Sequence, residues 1–427
     1  MYNNYKNSSG STGPRKSFFG SGGQANRRSG PPFRSGGFAP RFGSRAGFGA
    51  RRGGNGGGKG ERINPSKFIN KVVLTEEADV FKPEHKFSDF KIEESLKRGI
   101  DFKGYKDPTP IQDRSIPHIL AGLDIVGIAN TGTGKTAAFL IPLINKVLLN
   151  RREKVLIIVP TRELAIQIDE ELQGFTGNMR IFSACCVGGM NIGRQISSLR
   201  REHNFVIGTP GRLKDLIDRR MINLKEFNSL VLDEADRMLD MGFINDMRFV
   251  VSLMPKERHT LFFSATLSHD IERLIKDFLK DPVRISVKTS DTSKNVEQDV
   301  IKVERGQDKL QILHDILSQK EFNKVLIFGR TKHGVERLSK MLAAKGFKAE
   351  SIHGNKNHAQ RQRALNSFKD NYIQILVATD VAARGLDIPD VSHVINYELP
   401  ATYDDYVHRI GRTGRANKKG KALTFVE

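Results

Sequence analysis

One short stretch decides the fold of this chain: Ala129-Asn130-Thr131-Gly132-Thr133-Gly134-Lys135-Thr136. Residues 124–128 before it have the pattern of a buried strand, and residues 137–141 after it have the pattern of a helix. A strand, a glycine loop and a helix in this order are the context that a phosphate-binding loop requires. The usual pattern begins with Gly where this chain has an alanine, so a plain turn in an α/β domain is the alternative.

The residue types of this stretch suit a nucleotide. Gly132 and Gly134 let backbone N–H groups turn toward one anion, and the following helix adds the positive end of its dipole. Lys135 would reach the β- and γ-phosphates, and the hydroxyl of Thr136 would hold Mg²⁺. The stretch therefore favours a nucleotide site, although nucleotide binding alone names no function.

Length and charge suggest several domains and a polyanionic partner. The chain has 427 residues, a formal net charge of +21 and an ordinary hydrophobic content of 38%. Its size gives room for two or three domains. A strongly basic chain of this kind favours nucleic acid as a partner.

Cysteine content and hydropathy indicate where the protein works. Cys185 and Cys186 are adjacent, so on a strand they would point to opposite faces, which disfavours a disulfide and favours a reducing compartment. No apolar run approaches the ~20 residues of a membrane span, and the polar N-terminus lacks a secretory signal. We expect a cytoplasmic protein without a membrane anchor, or a nuclear one if the source is eukaryotic.

Residues 1–60 form a segment of unusual composition. They hold 17 of the 40 glycines and eleven Lys or Arg, with no acidic residue and no hydrophobic period. Such a segment cannot bury enough apolar surface to offset the conformational entropy that it would lose on folding, so we predict a disordered tail. It is either an inert linker or an Arg/Gly-rich arm that binds nucleic acid, and the absence of acids favours the arm. Residues 61–86 form a connector.

From Phe87 onward, strand and helix patterns alternate as in parallel-sheet α/β proteins. Polar clusters follow several of the predicted strands, and ligands of open α/β sheets bind at those carboxyl ends. A second unit begins near Val296 and has no phosphate loop of its own. We therefore predict a nucleotide-binding domain at 87–286, a linker at 287–295 and a second domain at 296–427.

Two acidic residues, Asp233 and Glu234, follow a strand that should lie beside the phosphate loop. Asp233 would bind Mg²⁺ as a hard oxygen ligand, and Glu234 would orient or deprotonate the attacking water. The alternative is a helix N-terminus whose acids are favoured by the dipole. The position at the end of a strand, in a chain with a phosphate loop, favours the catalytic interpretation.

The segment 408–415 ends the second unit with a cluster of arginines. Arg412 and Arg415 are one helical turn apart and would act as arginine fingers, while Arg409 suits a basic surface that contacts RNA or solvent. A further cluster follows another strand, and there Thr379 and the backbone of Gly385 would hold strand phosphates. In the same cluster, Asp387 would reach the ribose of the nucleotide.

One carboxamide precedes the phosphate loop. Gln112 follows two prolines and could pair with an adenine edge in two places, as Asn and Gln do with that base elsewhere. Taken alone, this motif is more often a turn that begins a helix. Its position shortly before the phosphate loop makes it a plausible reader of the base.

Taken together, these motifs resemble those of the DEAD-box ATP-dependent RNA helicases, and the match is to the bacterial type. The resemblance runs from Phe87 to the end of the chain, and Phe87 lies 17 residues before Gly104, as in the family's adenine-reading motif. The resemblance implies two tandem RecA-like domains, with ATP and Mg²⁺ as cofactors. An alanine at position 129 is usual in this family.

The resemblance also implies site residues. Adenine would contact Phe87, Tyr105 and Gln112. The phosphates and Mg²⁺ would be held by the loop from Ala129 through Asn130, Thr131, Gly132, Thr133 and Gly134 to Lys135 and Thr136, together with Asp233. Glu234 would be catalytic, Arg412 and Arg415 would be fingers, His408 would bridge toward the first domain, and Ser264 and Thr266 would couple hydrolysis to strand separation. RNA phosphates would meet Thr161, Arg162, Gly188, Gly189, Thr209, Arg212, Arg330, Thr331, Thr379 and Gly385.

One position departs from the family pattern. His358 stands where the family usually has Gln, while Arg361 keeps its place. The departure bears on one interdomain or RNA contact and leaves the ATP site unaffected.

Two alternative functions stay open at this point. The first is a DNA-acting or nucleoprotein-remodelling ATPase, against which Gln112 and the His408 motif argue. The second is a non-catalytic RNA-binding scaffold driven by the tail, against which Lys135, Glu234 and the arginine pair argue. The preferred prediction is a monomeric helicase that binds single-stranded RNA and short duplexes, with ribosomal or RNP assemblies as possible partners.

Overall fold

The computed structural model describes residues 81–426, except 131, 178, 288–295, 384–387, 389 and 415–419. The predicted tail, most of the connector and most of the linker therefore lie outside the described residues. The same holds for four predicted site residues, Thr131, Gly385, Asp387 and Arg415. The division into domains at the residues given above stays a prediction.

A seven-stranded sheet forms the first half of the described chain. Its strands are β1 Ile125–Ala129, β2 Val155–Ile158, β3 Ser183–Cys186, β4 Phe205–Gly208, β5 Ser229–Leu232, β6 His259–Ser264 and β7 Val283–Val287. The spatial order is β3-β4-β2-β5-β6-β1-β7, and each of these pairings is parallel.

Helices connect these strands, as parallel pairing requires. They are α1 Glu94–Phe102, α2 Pro110–Leu120, α3 Lys135–Leu149, α4 Arg162–Thr176, α5 Ile192–Leu199, α6 Pro210–Asp218, α7 Ala235–Asp240, α8 Ile244–Ser252 and α9 His269–Phe278. Short 3₁₀ turns lie at Phe87–Asp89 and Leu224–Glu226.

A six-stranded parallel sheet forms the second half. Its strands are β8 Val296–Lys302, β9 Val325–Gly329, β10 Ala349–Ile352, β11 Ile375–Thr379, β12 His393–Asn396 and β13 Gly420–Val426. The spatial order is β10-β11-β9-β12-β13-β8. Its helices are α10 Lys309–Leu317, α11 Lys332–Ala344, α12 His358–Lys369, α13 Asp380–Ala383 and α14 Tyr403–Ile410.

Both faces of the first sheet are covered. On β6, Leu261 and Phe263 enter one hydrophobic cluster while Phe262, which lies between them, enters another. Successive side chains of a strand point to opposite faces, so the two clusters are the two sides of one sheet. Parallel sheets buried in this way carry near-continuous apolar strands, and all five residues of β1 are buried. The predicted α/β fold class is confirmed.

The order of the strands corrects one prediction. The strand that ends before Asp233, β5, does not lie beside β1, because β6 pairs with both of them and separates them. The acidic residues are therefore one strand farther from the phosphate loop than expected. Strand order depends on how the crossover helices pack, so it cannot be predicted from the local hydrophobic pattern.

The two cysteines lie side by side on β3, and both are free thiols, as predicted. Burial raises the pKa of both thiols, that of Cys186 to about 12. A thiol must lose its proton to react, so neither cysteine is a nucleophile at neutral pH.

Among the described helices, none combines the length and the apolar character that crossing a membrane demands.

Candidate active site

The phosphate loop connects β1 to α3, as the sequence predicts. Gly132 and Gly134 have φ values of 80° and 90°, in the left-handed region that glycine adopts at little cost. The hydroxyl of Thr133 donates to the carbonyl oxygen of Asn130 at 2.8 Å and so closes the loop on itself. The backbone N–H groups at the start of α3 have no partner in the preceding turn, which makes this end of the helix a site for an anion.

The predicted base reader lies directly against this loop. The side-chain amide of Gln112 donates to the carbonyl oxygen of Gly134 at 3.0 Å, and its oxygen accepts from the backbone N–H of Thr109 at 2.9 Å. A Cβ atom at position 134 would lie 2.5 Å from that amide nitrogen, so only glycine fits there. The buried hydroxyl of Thr109 lies in the same place and has no partner among the described residues. Hydrogen-bonding groups placed side by side in this way suit a ligand with hydrogen-bonding edges.

Two aromatic residues predicted to contact adenine meet at the end of α1. The rings of Phe87 and Tyr105 lie 5.8 Å apart in an edge-to-face arrangement, and Phe87 is buried. The hydroxyl of Tyr105 donates to Glu171 at 2.7 Å, and its ring lies 5.4 Å from that of Phe175. The structure therefore brings these two residues together, while their contact with adenine stays a prediction.

Lys135 and Asp233 are both buried and interact electrostatically. The ammonium group of Lys135 is buried and donates to the carbonyl oxygen of Ala129 at 2.9 Å. Burial raises the pKa of Asp233 to about 6, and the positive charge of Lys135 partly offsets this effect. A buried lysine beside a carboxylate suits a bound phosphate and its counter-cation.

The Mg²⁺ that the fold family implies fits the residues that are present. Asp233 and Thr136 offer hard oxygen donors near the phosphate loop, and no group of three or more His, Cys, Asp or Glu side chains in the described part of the chain forms a metal cluster. Mg²⁺ keeps several waters and takes one or two carboxylates together with substrate phosphates. Two protein ligands are therefore sufficient for this ion.

Glu234 is held in an unusual conformation. Its backbone has φ 53° and ψ 47°, in the left-handed region, and its N–H donates to the carboxylate of Asp233 at 2.9 Å. The buried guanidinium of Arg237 lies 3.1 Å from its carboxylate. Sequence reasoning missed Arg237, although its spacing of three residues on a helix from Glu234 was a usable signal.

Asp236 connects the acidic segment to the end of β6. Its carboxylate accepts from the backbone N–H of Ala265 and of Thr266, both at 3.0 Å, and from the hydroxyl of Thr266 at 3.2 Å. The hydroxyl of Ser264 donates to the carbonyl oxygen of Thr266 at 2.8 Å. Of the two predicted coupling residues, Thr266 is thus bonded to the acidic motif, and Ser264 is bonded to Thr266.

Asp236 also interacts with the second half of the chain. Burial raises its pKa, but the charges of Lys135, Arg237 and His408 outweigh burial and lower the pKa below its usual value. His408 belongs to α14, and its role as a bridge toward the first half stays a prediction. Arg412 is also buried and shares the wall of a small cavity with His408 and Asp380. Arg415 lies outside the described residues.

The prediction for Arg409 is wrong. The residue is 2% exposed, and its side chain donates through Nε and Nη2 to the two carboxylate oxygens of Asp380, and through Nη1 to Asn396 and the carbonyl oxygen of Glu398. A guanidinium bonded on every side cannot serve as a surface for RNA or solvent. Arg409 instead joins the ends of β11 and β12 to α14.

The RNA-contacting residues predicted on the first half lie at the carboxyl edge of its sheet. The guanidinium of Arg162 packs on Gly188 and Gly189, where a Cβ at position 189 would lie 2.0 Å from it. Arg212 donates to Gln195 at 3.0 Å. Thr161 precedes α4 and caps it, and Thr209 precedes α6. The six residues lie along one edge, and their contact with RNA stays a prediction.

The residues predicted on the second half also follow strands. Arg330 and Thr331 come after β9, where the backbone N–H of Arg330 donates to Glu398 and Thr331 caps α11 by accepting from Gly334 at 3.0 Å. Thr379 ends β11 and is nearly buried. These positions agree with the predicted motif order along the sheet edge.

One ion pair joins the two halves. Nη2 of Arg361 lies 2.8 Å from Oε1 of Glu163, and both side chains are largely buried. His358, at the position that departs from the family pattern, begins the same helix α12, and its buried Nδ1 has no partner among the described residues. Sequence reasoning connected the change at His358 with one interdomain or RNA contact, but it did not identify the pair of Arg361 and Glu163.

Two family models match this chain. The DEAD/DEAH box helicase model covers residues 109–274, and the helicase conserved C-terminal domain model covers residues 308–417. The chain is 45% identical to the ATP-dependent RNA helicase CshA of Listeria monocytogenes over 344 residues, which are 80% of this chain and 66% of the relative. It is 45% identical to the DEAD-box ATP-dependent RNA helicase CshA of Bacillus subtilis over 342 residues, which are 80% of this chain and 69% of the relative. It thus spans about two thirds of the length of these relatives.

Solved structures agree with this assignment. The S. cerevisiae protein Dbp5, bound to RNA and ADP BeF3, is 29% identical with a TM-score of 0.71 over 80% of this chain and 89% of its own. Mss116p, bound to ssRNA and AMP-PNP, is 29% identical with a TM-score of 0.72 over 78% of this chain and 72% of its own. The two sheets are therefore RecA-like, and the chain belongs to the DEAD-box family of ATP-dependent RNA helicases.

Proposed function

We propose that this protein hydrolyses ATP when RNA is bound and uses the cycle to clamp RNA and to separate short duplexes locally. The observation that carries this proposal is the position of Asp236. Its carboxylate accepts hydrogen bonds from the segment after β6, and the charges of both Lys135 and His408 lower its pKa. One buried group thus connects the phosphate loop, the coupling segment and the second half of the chain.

The ATP site would use residues of the first half together with Asp387 of the second. Lys135 would bind the β- and γ-phosphates, and Thr136 and Asp233 would hold Mg²⁺, which neutralises charge on the phosphates. Glu234 would orient the attacking water and accept its proton. Gln112 would pair with adenine between Phe87 and Tyr105, and Asp387 would reach the ribose.

Closure of the two domains, 87–286 and 296–427, would complete the site. Arg412 and Arg415 would stabilise charge on the leaving phosphates, an effect worth roughly 10³–10⁵ in rate in other phosphoryl transfers. The ion pair between Arg361 and Glu163 supports a closed arrangement, because it needs both halves. ATP and RNA would favour closure because both ligands would bind the closed form more tightly than the open form.

RNA would be held along the carboxyl edges of both sheets. The residues predicted there are mostly threonines, glycines and arginines, which suit phosphates better than bases. Contacts to the backbone alone give little sequence preference, and a bent strand in the closed form would not fit a duplex. We therefore expect local unwinding or remodelling of RNP assemblies, including ribosomal ones, by a monomer in the cytoplasm.

RNA is expected to stimulate ATP hydrolysis far more than DNA of the same length and sequence. The comparison uses the full chain, saturating ATP and single strands of equal length, with phosphate release as the measurement. Equal stimulation by both strands would favour a DNA-acting or general nucleoprotein-remodelling ATPase instead. Hydrolysis below detection with every strand would favour a non-catalytic scaffold.

Deletion of residues 1–60 is expected to weaken RNA binding and to reduce its salt dependence. The segment carries eleven Lys or Arg and no acidic residue, and each phosphate that a cation neutralises adds about 0.7 to the slope of log K against log[salt] for single strands. RNA affinity measured between low and moderate salt tests this. The ATPase rate at saturating RNA should stay the same, and an unchanged slope would reduce the tail to a spacer.

A further inference from the structure

One buried carboxylate beside the base reader has no part in the proposed chemistry. Asp113 follows Gln112 in the first turn of α2 and is 3% exposed. Its Oδ2 accepts from the backbone N–H of Glu84 at 2.9 Å, and its Oδ1 accepts from the backbone N–H of His85 at 3.1 Å and from the ring Nδ1 of His85 at 2.8 Å. A carboxylate only accepts, so three donors aimed at it form a matched set.

These bonds fix the segment that leads to Phe87. Glu84 and His85 are 29 and 28 residues away in sequence from Asp113, so local turn geometry does not make this contact. The ring of His85 lies 5.7 Å from that of Phe90, and Phe87 lies 6.0 Å from Phe90. The carboxylate therefore anchors a chain segment whose aromatic rings pack on one another two residues later.

The neighbouring side chain points the other way. Gln112 bonds to Gly134 of the phosphate loop, whereas Asp113 bonds to the segment upstream of Phe87. Successive residues on a helix point about 100° apart, so one turn of α2 can contact both structures. The two elements that would surround adenine are thus held by adjacent residues.

We propose that Asp113 is a positioning residue for recognition of the base. It holds the segment 84–87 so that Phe87 and Gln112 meet the nucleotide as one preformed unit, and the preference for ATP over GTP depends on it. This inference rests on the proposed function of Gln112 and Phe87 as the adenine site. A purely structural role for Asp113 would change stability and leave the choice of base untouched.

The test replaces Asp113 by Asn in the full chain and measures kcat and KM for ATP and for GTP at saturating RNA. The amide of Asn replaces one acceptor oxygen of Asp113 by an NH₂ donor, which would face N–H groups and lose their hydrogen bonds. We expect kcat/KM for ATP to fall between about tenfold and about a hundredfold through KM, the size of effect that small misplacements have. The value for GTP should change little, so that the ATP-to-GTP ratio falls by the same factor.

Two further variants keep the test decisive. His85→Phe removes one donor but keeps an aromatic ring beside Phe90, and since the His85 side chain is 40% exposed, this variant should fold even if Asp113→Asn does not. It should lower the ATP-to-GTP ratio by a smaller factor. Asp277→Asn removes an exposed carboxylate paired with Arg248 at 2.8 Å and should leave both constants at their wild-type values.

The outcomes separate the two proposals. An unchanged ATP-to-GTP ratio in Asp113→Asn and His85→Phe, with a selective wild type, would overturn the role of Asp113 alone. A wild type that uses GTP as well as ATP would overturn the adenine site itself and the role of Asp113 with it.

Discussion

Replacement of Glu234 by Gln is expected to lower kcat for RNA-stimulated ATP hydrolysis by about 10²–10⁴-fold, the range for loss of a positioned general base. The change removes the negative charge that would orient and deprotonate the attacking water. The side chain keeps its length and one oxygen within reach of Arg237, so the buried surroundings are preserved. Phosphate release at saturating ATP and RNA measures the effect.

The same variant should still bind RNA tightly when ATP is present. Lys135 and Arg412 are unchanged, so both half-sites can still meet over the nucleotide. Fluorescence anisotropy of labelled RNA with and without ATP checks this. Glu272→Gln is the matched control, because this carboxylate pairs with Arg284 at the surface, and its kcat should equal that of the wild type. Wild-type turnover in Glu234→Gln would refute the assignment of Glu234.

Replacement of Asp380 by Ala is expected to lower the free energy of unfolding of the second half by about 3–5 kcal/mol, because it leaves a buried guanidinium without its counter-charge. Arg409 is 1% exposed in its side chain and donates twice to this carboxylate. Denaturant unfolding curves of the full chain measure the loss.

A double variant separates the charge effect from a packing effect. In Asp380→Ala with Arg409→Met, no unpaired charge stays buried, so the double variant should be more stable than Asp380→Ala alone. Glu321→Gln is the control, since its pair with Lys421 at 3.2 Å is exposed and such pairs contribute about 0–1 kcal/mol. If Asp380→Ala unfolded at the wild-type midpoint, the buried pair would be irrelevant to stability.

Patterns of local spacing predicted most of this molecule. The glycine loop after β1, the polar clusters after β5 and β6 and the alternation of strands and helices all appear where the sequence indicates them. These features depend on residues within one turn or one strand, where backbone conformation follows directly from residue type. The family resemblance then gave the RecA-like fold, which the solved structures confirm.

Two edge strands and the strand order were beyond that reasoning. β10 lies at an edge and was predicted, but β7 and β8 were not, and both lie at the edge of a sheet with exposed residues alternating with buried ones. An apolar run is the signal of a strand buried on both faces, so a half-exposed edge strand reads as polar and irregular. The position of β6 between β1 and β5 results from tertiary packing, which cannot be predicted from a short stretch of sequence.

Long-range polar contacts were also missed. Sequence reasoning gave Arg409 to the surface because charged residues are rarely buried, but the structure pairs it with Asp380, 29 residues away. The pairing of Arg361 with Glu163 crosses from one half of the chain to the other. Two ion-pair partners so far apart in sequence produce no periodic pattern, so their contact cannot be predicted from local spacing.

The left-handed backbone of Glu234 has a consequence for how this protein can evolve. A residue other than glycine in that conformation costs about 1–3 kcal/mol, which the rest of the fold must supply. Glycine would relax the strain at this position, but it would also discard the carboxylate. Natural selection for heat resistance would therefore favour glycine at position 234, whereas natural selection for turnover would favour glutamate.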